Sequence, residues 1–163
     1  MRKIIYLVEF ILIKILFIVF KIIGYKFSSN LGFLIGIIFG PIFKSKKQII
    51  KNLEKANIQK KQNPEKIASN VLGNYGRIFA EYVHLEDFRN DKLKKYISIE
   101  GLEHLNYLKQ SKKKAIFISG HFNNFELMAM EIEKAGIELA AIYRPLNNVF
   151  LNNTMEKIRE ENI

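Results

Sequence analysis

The stretch 116-IFISGHFNNFEL-127 decides how the rest of the chain is read. An apolar run ends abruptly in Gly-His, and a glutamate follows five residues after the histidine. The run is short and rich in β-branched residues, as in a strand, and the residues after it have helical spacing. Two similar apolar segments flank it: Tyr96–Glu100 alternates apolar and polar residues, and Ile137–Ile142 is a third short run. Helical patterns separate them, over 101–111, from about Asn124 to Ala135 with Gly136 as terminator, and from Asn148 onward. The order is β-α-β-α-β-α, which predicts an α/β fold with a parallel sheet and helical crossovers. In such sheets ligands sit beyond the carboxyl ends of the strands. His121 and Tyr143-Arg144-Pro145 are expected there.

Upstream, the pattern is helical. Residues 46–60 place Ile49, Ile50, Leu53 and Ala56 at helical spacing. Asn63-Pro64-Glu65 has the form of a helix start, and the helix is expected to run to about Leu85. His84 in that region has no acidic partner at an informative spacing and reads as structural or exposed.

The first forty-three residues are different. Ile4–Ile23 is apolar apart from Tyr6, Glu9, Lys14 and Lys21, and is long enough to cross a bilayer core. On a helix Lys3, Lys14 and Lys21 fall within about 20° of one another. That suits a helix lying in the membrane interface, or one spanning it with snorkelling lysines. A cleaved signal peptide fits less well, because the lysines interrupt the run and no A-x-A-like site follows. The second run, 31-LGFLIGIIFGPIF-43, is short for a span and reads as a membrane-dipping or buried helix stopped at Gly40-Pro41. Lys44, Lys46, Lys47 and Lys51 follow at once, which favours an anionic cytoplasmic leaflet. The expected division is 1–43 as membrane-associated helices, and 44–163 as a helical region leading into the α/β part.

The 163 residues carry a net charge of +10 and no cysteine. Disulfides, thiolate nucleophiles and zinc-thiolate sites are excluded. The charge points to an anionic partner, although an Ile-, Lys- and Asn-rich composition accounts for part of it. Without a binding motif or a basic stripe with interleaved aromatics, nucleic acid is not expected.

His121 and Glu126 admit two readings. A histidine whose second ring nitrogen is held by a carboxylate can take a proton from a hydroxyl, and its imidazolium is stabilised. Alternatively, Asn123 and Glu126 are three apart, as in a capping box. Ser119 has no base arranged for it and reads as a strand-end residue.

The block Gly120-His121-Phe122-Asn123-Asn124-Phe125-Glu126 resembles the H-x4-D/E block of the lysophospholipid acyltransferase superfamily. With the later Tyr143-Arg144-Pro145, and with 52-NL-53 after a basic stretch, it is similar to one branch: the bacterial lipid A biosynthesis (lauroyl/myristoyl) acyltransferases. Asn123 stands where that family usually has Gly, Phe125 where it often has Trp, and Val149 where a Pro is common. The resemblance implies a three-layer α/β/α acyltransferase-like domain, here C-terminally incomplete, whose missing half a partner chain would supply. It implies transfer of a fatty acyl chain from an acyl thioester, on acyl carrier protein, to a hydroxyl of a glycolipid acceptor, a lipid A precursor. His121 would be the general base and Glu126 would orient it. Arg144, Asn124 and Tyr143 would bind substrate, with no metal and no cofactor. The place implied is the cytoplasmic face of the bacterial inner membrane. A non-catalytic fragment and a lysophospholipid acyltransferase are the competing expectations.

Overall fold

The computed structural model describes residues 2–57 and 63–163, and they form eight α-helices joined by short turns and irregular segments. These are α1 (Arg2–Ile23), α2 (Tyr25–Phe43), α3 (Lys46–Lys55), α4 (Pro64–Glu81), α5 (Leu85–Arg89), α6 (Leu102–Ser111), α7 (Glu126–Lys134) and α8 (Val149–Asn162). Positions 58–60 of the expected third helix lie outside the described residues.

The expected α/β fold, with its three-layer α/β/α domain, is not found. Among the described residues there is no strand and no sheet. Segments 96–100, 115–119 and 137–142 connect helices without pairing with one another, and Ile116, Ile118 and Ile142 stand almost wholly exposed. Alternation and β-branching describe the faces a strand would have; they supply no ladder partner, which is a non-local interaction.

The helix boundaries follow local chemistry more closely. Asn63 caps α4, its Oδ1 accepting from the backbone N–H groups of Glu65 at 2.9 Å and Lys66 at 3.4 Å. Gly136, at φ +82°, follows the end of α7, a left-handed conformation that glycine adopts without a steric penalty. The apolar run after Leu31 behaves differently from expectation. α2 begins six residues earlier, at Tyr25, and passes through Pro41 to Phe43. The proline only removes one N–H from the last turn, and the next helical bond, from Lys44 N–H to Gly40 O at 2.9 Å, still forms.

The described residues cluster into two compact units, one of Phe17–Val83 and one of residues up to Leu16 with His84–Ile163, so the boundary falls within α1. In the Phe17–Val83 unit, α2 packs along α4 through small residues. Gly32 faces Gly76 and Ala80, and Gly36 faces Leu72 and Gly73. Ser29 Oγ donates to the buried Glu81 carboxylate at 2.8 Å. Phe17 and Phe20 of α1 are buried in this unit, the Phe17 ring 5.0 Å from that of Phe79. α3 lays Ile49, Ile50 and Leu53 on Ala68, Val71 and Leu72.

In the other unit, α5 packs against α7 and α8. Asn148 works at both ends of its amide. Its Oδ1 caps α8 through Phe150 N–H and Leu151 N–H, while its Nδ2 donates to Tyr6 O at 2.9 Å and Glu9 Oε2 at 3.0 Å on α1.

The α2–α4 contact yields a test. A Cβ at Gly36 would lie 2.4 Å from Leu72 O, a backbone atom that cannot yield without parting the helices. Gly36→Ala should cost about 1–3 kcal/mol, as overpacking does. Gly40→Ala, whose nearest neighbour is the Leu72 side chain at 3.0 Å, should cost less. Unfolding of the detergent-solubilised variants measures both.

Candidate active site

The loop before α7 is tightly folded. Phe122 N–H donates to Gly120 O at 2.8 Å, a three-residue turn with His121 at its apex. Asn123 follows at φ +47°, left-handed backbone that Asn tolerates better than most residues and Gly better still. That conformation supplies a reason for a glycine preference at this position. Phe125 then acts as the N-cap residue of α7, with no side-chain cap, and Glu126 is the first helical residue. The Asn123–Glu126 capping box is therefore not formed.

His121 is exposed, and its ring meets Phe125 edge-on with centroids 4.6 Å apart. Among the described residues no hydrogen bond joins it to Glu126. Glu126 is buried, and its Oε1 accepts from Arg159 Nε at 2.9 Å and Nη2 at 2.6 Å. The Arg159 guanidinium also lies over the Tyr143 ring, 5.4 Å from its centroid, and Tyr143 Oη–H donates to Glu156. The structure thus brings Glu126 and Tyr143 together through a residue that sequence reasoning missed. A signal existed: Arg159 comes four residues after Met155, which is buried, so an arginine occupies the inward side of α8. Asn124 is half-buried in the turn, its carbonyl accepting from Leu127 N–H at 3.2 Å, and Arg144 is exposed.

The far end of α7 is tied to α5 and the turn after it by ion pairs. Arg89 bonds Glu133, and Lys134 Nζ reaches Asp91 Oδ1 at 2.7 Å and Glu131 Oε1 at 3.3 Å. The Lys134 hydrogen bond holds the Asp91 carboxyl below its ordinary 3.8, and Arg89 does the same for Glu133, below 4.5. Partial burial pulls Lys134 down, but its bonds to Asp91 and Glu131 outweigh this and leave it above 10.5. Nearby, His84 does have an acidic partner: it is buried, with Nδ1 3.2 Å from Asp87 Oδ2. Among the described residues no three His, Asp or Glu side chains are grouped to hold a metal.

The loop therefore presents a buried carboxylate opening a helix, five residues after an exposed imidazole. A family model for bacterial lipid A biosynthesis acyltransferases matches residues 1–162. The chain belongs to that family. No curated protein and no solved structure matches it. Membership makes the chain an acyltransferase of lipid A synthesis and places it among membrane-associated proteins. Among the described residues one helix, α2, is long and apolar enough to cross a membrane. The expected span in α1 is interrupted by Glu9, Lys14 and Lys21.

Two outcomes follow for this acyltransferase. Arg159→Met leaves a buried Glu126 without its cation, and removing one partner of such a pair costs roughly 3–5 kcal/mol. Because Arg159 is itself about a third exposed, the loss in unfolding free energy should fall at the lower end. The second outcome concerns pH. The Asp91 and Glu133 values are depressed, so their contribution is present above the ordinary carboxylate range and is lost as pH falls through the lowered values, below 3.8 and 4.5. Lys134 is raised, so its contribution holds below 10.5 and is lost above its raised value. The unfolding midpoint should decline on both flanks, and Lys134→Met should make both declines shallower.

Proposed function

We propose that this acyltransferase moves a fatty acyl chain from an acyl carrier protein thioester to a hydroxyl of a glycolipid, a lipid A precursor. The observation that supports the reading is an exposed His121, at a turn apex, five residues before a buried and anchored Glu126 at the start of α7. An exposed imidazole can meet an acceptor hydroxyl. A carboxylate held by Arg159 stays in place, and the reading requires His121 to leave its contact with Phe125 and bond Glu126 when substrate is present. Catalytic hydrogen bonds are often long before substrate binds.

The chemistry then balances without a covalent enzyme intermediate. His121 takes the proton of the acceptor hydroxyl as its oxygen attacks the thioester carbonyl carbon. The tetrahedral oxyanion collapses, the carbon–sulfur bond breaks, and the imidazolium returns the proton to the departing thiolate. Glu126 stabilises the imidazolium in between. Arg144, exposed two residues beyond Ile142, would bind a phosphate of the acceptor or the developing oxyanion. Asn124 and Tyr143 would position substrate around it. The exposed Lys44, Lys47 and Lys51 support binding to an anionic leaflet, which is the cytoplasmic face of the inner membrane.

The test is incubation of the membrane-extracted protein with acyl carrier protein thioesters and candidate glycolipids, with product masses read out. His121→Ala should reduce turnover on the order of 100- to 10,000-fold. Glu126→Gln should also reduce it strongly, because an amide can still accept from Arg159 but cannot stabilise an imidazolium. Full turnover of a folded Glu126→Gln preparation overturns the dyad.

A further inference from the structure

α2 has two unlike faces. Toward α4 it presents Ser28, Ser29, Gly32 and Gly36, all buried. On the opposite side Phe27, Leu31, Leu34, Ile38 and Ile42 fall within about 80° of one another at 100° per residue. All five are exposed, Phe27 by 72% and Ile42 by 76%. At 19 residues α2 is about 28 Å long, just enough to cross a hydrocarbon core. Length and composition therefore allow a span.

What covers its buried face argues otherwise. α4 runs antiparallel along α2, from Glu81 beside Ser29, through Gly76 at Gly32, to Leu72 at Gly36 and Gly40. α4 is not a membrane helix. Lys66, Asn70 and Asn74 form a polar stripe along it within about 80°, Lys66 and Asn70 exposed and Asn74 half-buried, while Arg77 on the same side lays its guanidinium over the Phe33 ring of α2, 4.7 Å from its centroid. If α2 crossed the bilayer, α4 would be carried through with it, and the stripe would lie in hydrocarbon. Polar and ionisable groups at that depth face a bundle interior or a water-filled cavity, not lipid. The basic residues give a second, independent constraint. Lys26 precedes the exposed face, and Lys44, Lys46 and Lys47 follow it. A spanning α2 would put these two groups on opposite sides of the membrane; a helix lying flat puts them all on one leaflet.

We infer that α2 does not span. It lies in the plane of an anionic leaflet, with the Phe27–Ile42 face among the acyl chains, the lysines at the headgroups, and the α4 stripe in water. This rests on the membrane association of the family and says how one unit of the chain meets the bilayer.

The chain has no cysteine, so single thiols report position directly. Lys26→Cys, Lys46→Cys and Asn74→Cys variants of the full chain are examined in sealed, inverted membrane vesicles with a membrane-impermeant maleimide. All three positions should react from the outer, cytoplasmic face, and blocking from that face should abolish later labelling in detergent. Reaction of positions 26 and 46 from opposite faces, or protection of position 74, overturns the inference. A Leu34→Cys variant carrying an environment-sensitive fluorophore should be quenched by lipids brominated on the acyl chains. Absence of quenching, as when a second copy covers this face, also overturns it. Neither readout uses acyl transfer, so failure of the topology and failure of the catalytic reading are separately visible.

Discussion

A carboxylate buried at the start of a helix must find a cation, and Glu126 finds Arg159, thirty-three residues downstream. That ion pair ties the first turn of α7 to the last turn of α8. The other end of α8 is set by Asn148, which caps the helix with one end of its amide and grips α1 with the other. Between these two anchors, Met155 packs inward and the Arg159 guanidinium covers Tyr143. Buried ion pairs rarely add much net stability, because desolvation offsets attraction. Here one carboxylate oxygen accepts two hydrogen bonds from a single guanidinium, so losing either group leaves the other buried or half-buried and uncompensated.

The structural consequence is that the carboxylate is fixed while the imidazole stands exposed on the loop before it. Glu126 is held in the first turn of α7, while His121 sits on a loop whose turns are closed by backbone bonds of only two residues' separation. The left-handed Asn123 lets the chain reverse between them. The same helix is tied at its far end through Glu133 and Lys134 to α5 and the turn after it, so both ends of α7 are constrained.

The Phe17–Val83 unit is held by different physics. Glycine and serine on α2 let the backbone approach α4 closely, so dispersion along the whole interface replaces a few strong polar contacts. Small side chains on one face leave the large apolar ones on the other, where only lipid or another apolar surface suits them. A single helix thereby carries a closely packed face and an exposed apolar one.

Much of this was legible in the residues. Asn63-Pro64, Gly136 and Asn148 mark helix ends because capping and left-handed backbone are local requirements, and the structure places ends there. The His121–Glu126 spacing and Tyr143-Arg144-Pro145 pointed to the family on their own. Three things were not legible. The segments around Ile97, Ile116 and Ile142 have strand-like residues, yet pairing depends on partners that a local pattern cannot name. Pro41 looked like a stop but lies in the last turn of α2, where a missing N–H costs little. Arg159 carried no sequence signal that named Glu126, thirty-three residues away, as its partner. The chain by itself determined the helix ends marked by Asn63-Pro64, Gly136 and Asn148, since caps and left-handed backbone depend on neighbours within a few residues. Only the tertiary structure decided that Glu126 answers to Arg159 and that α2 turns its glycines to α4, because both are contacts between residues that backbone propensity never compares.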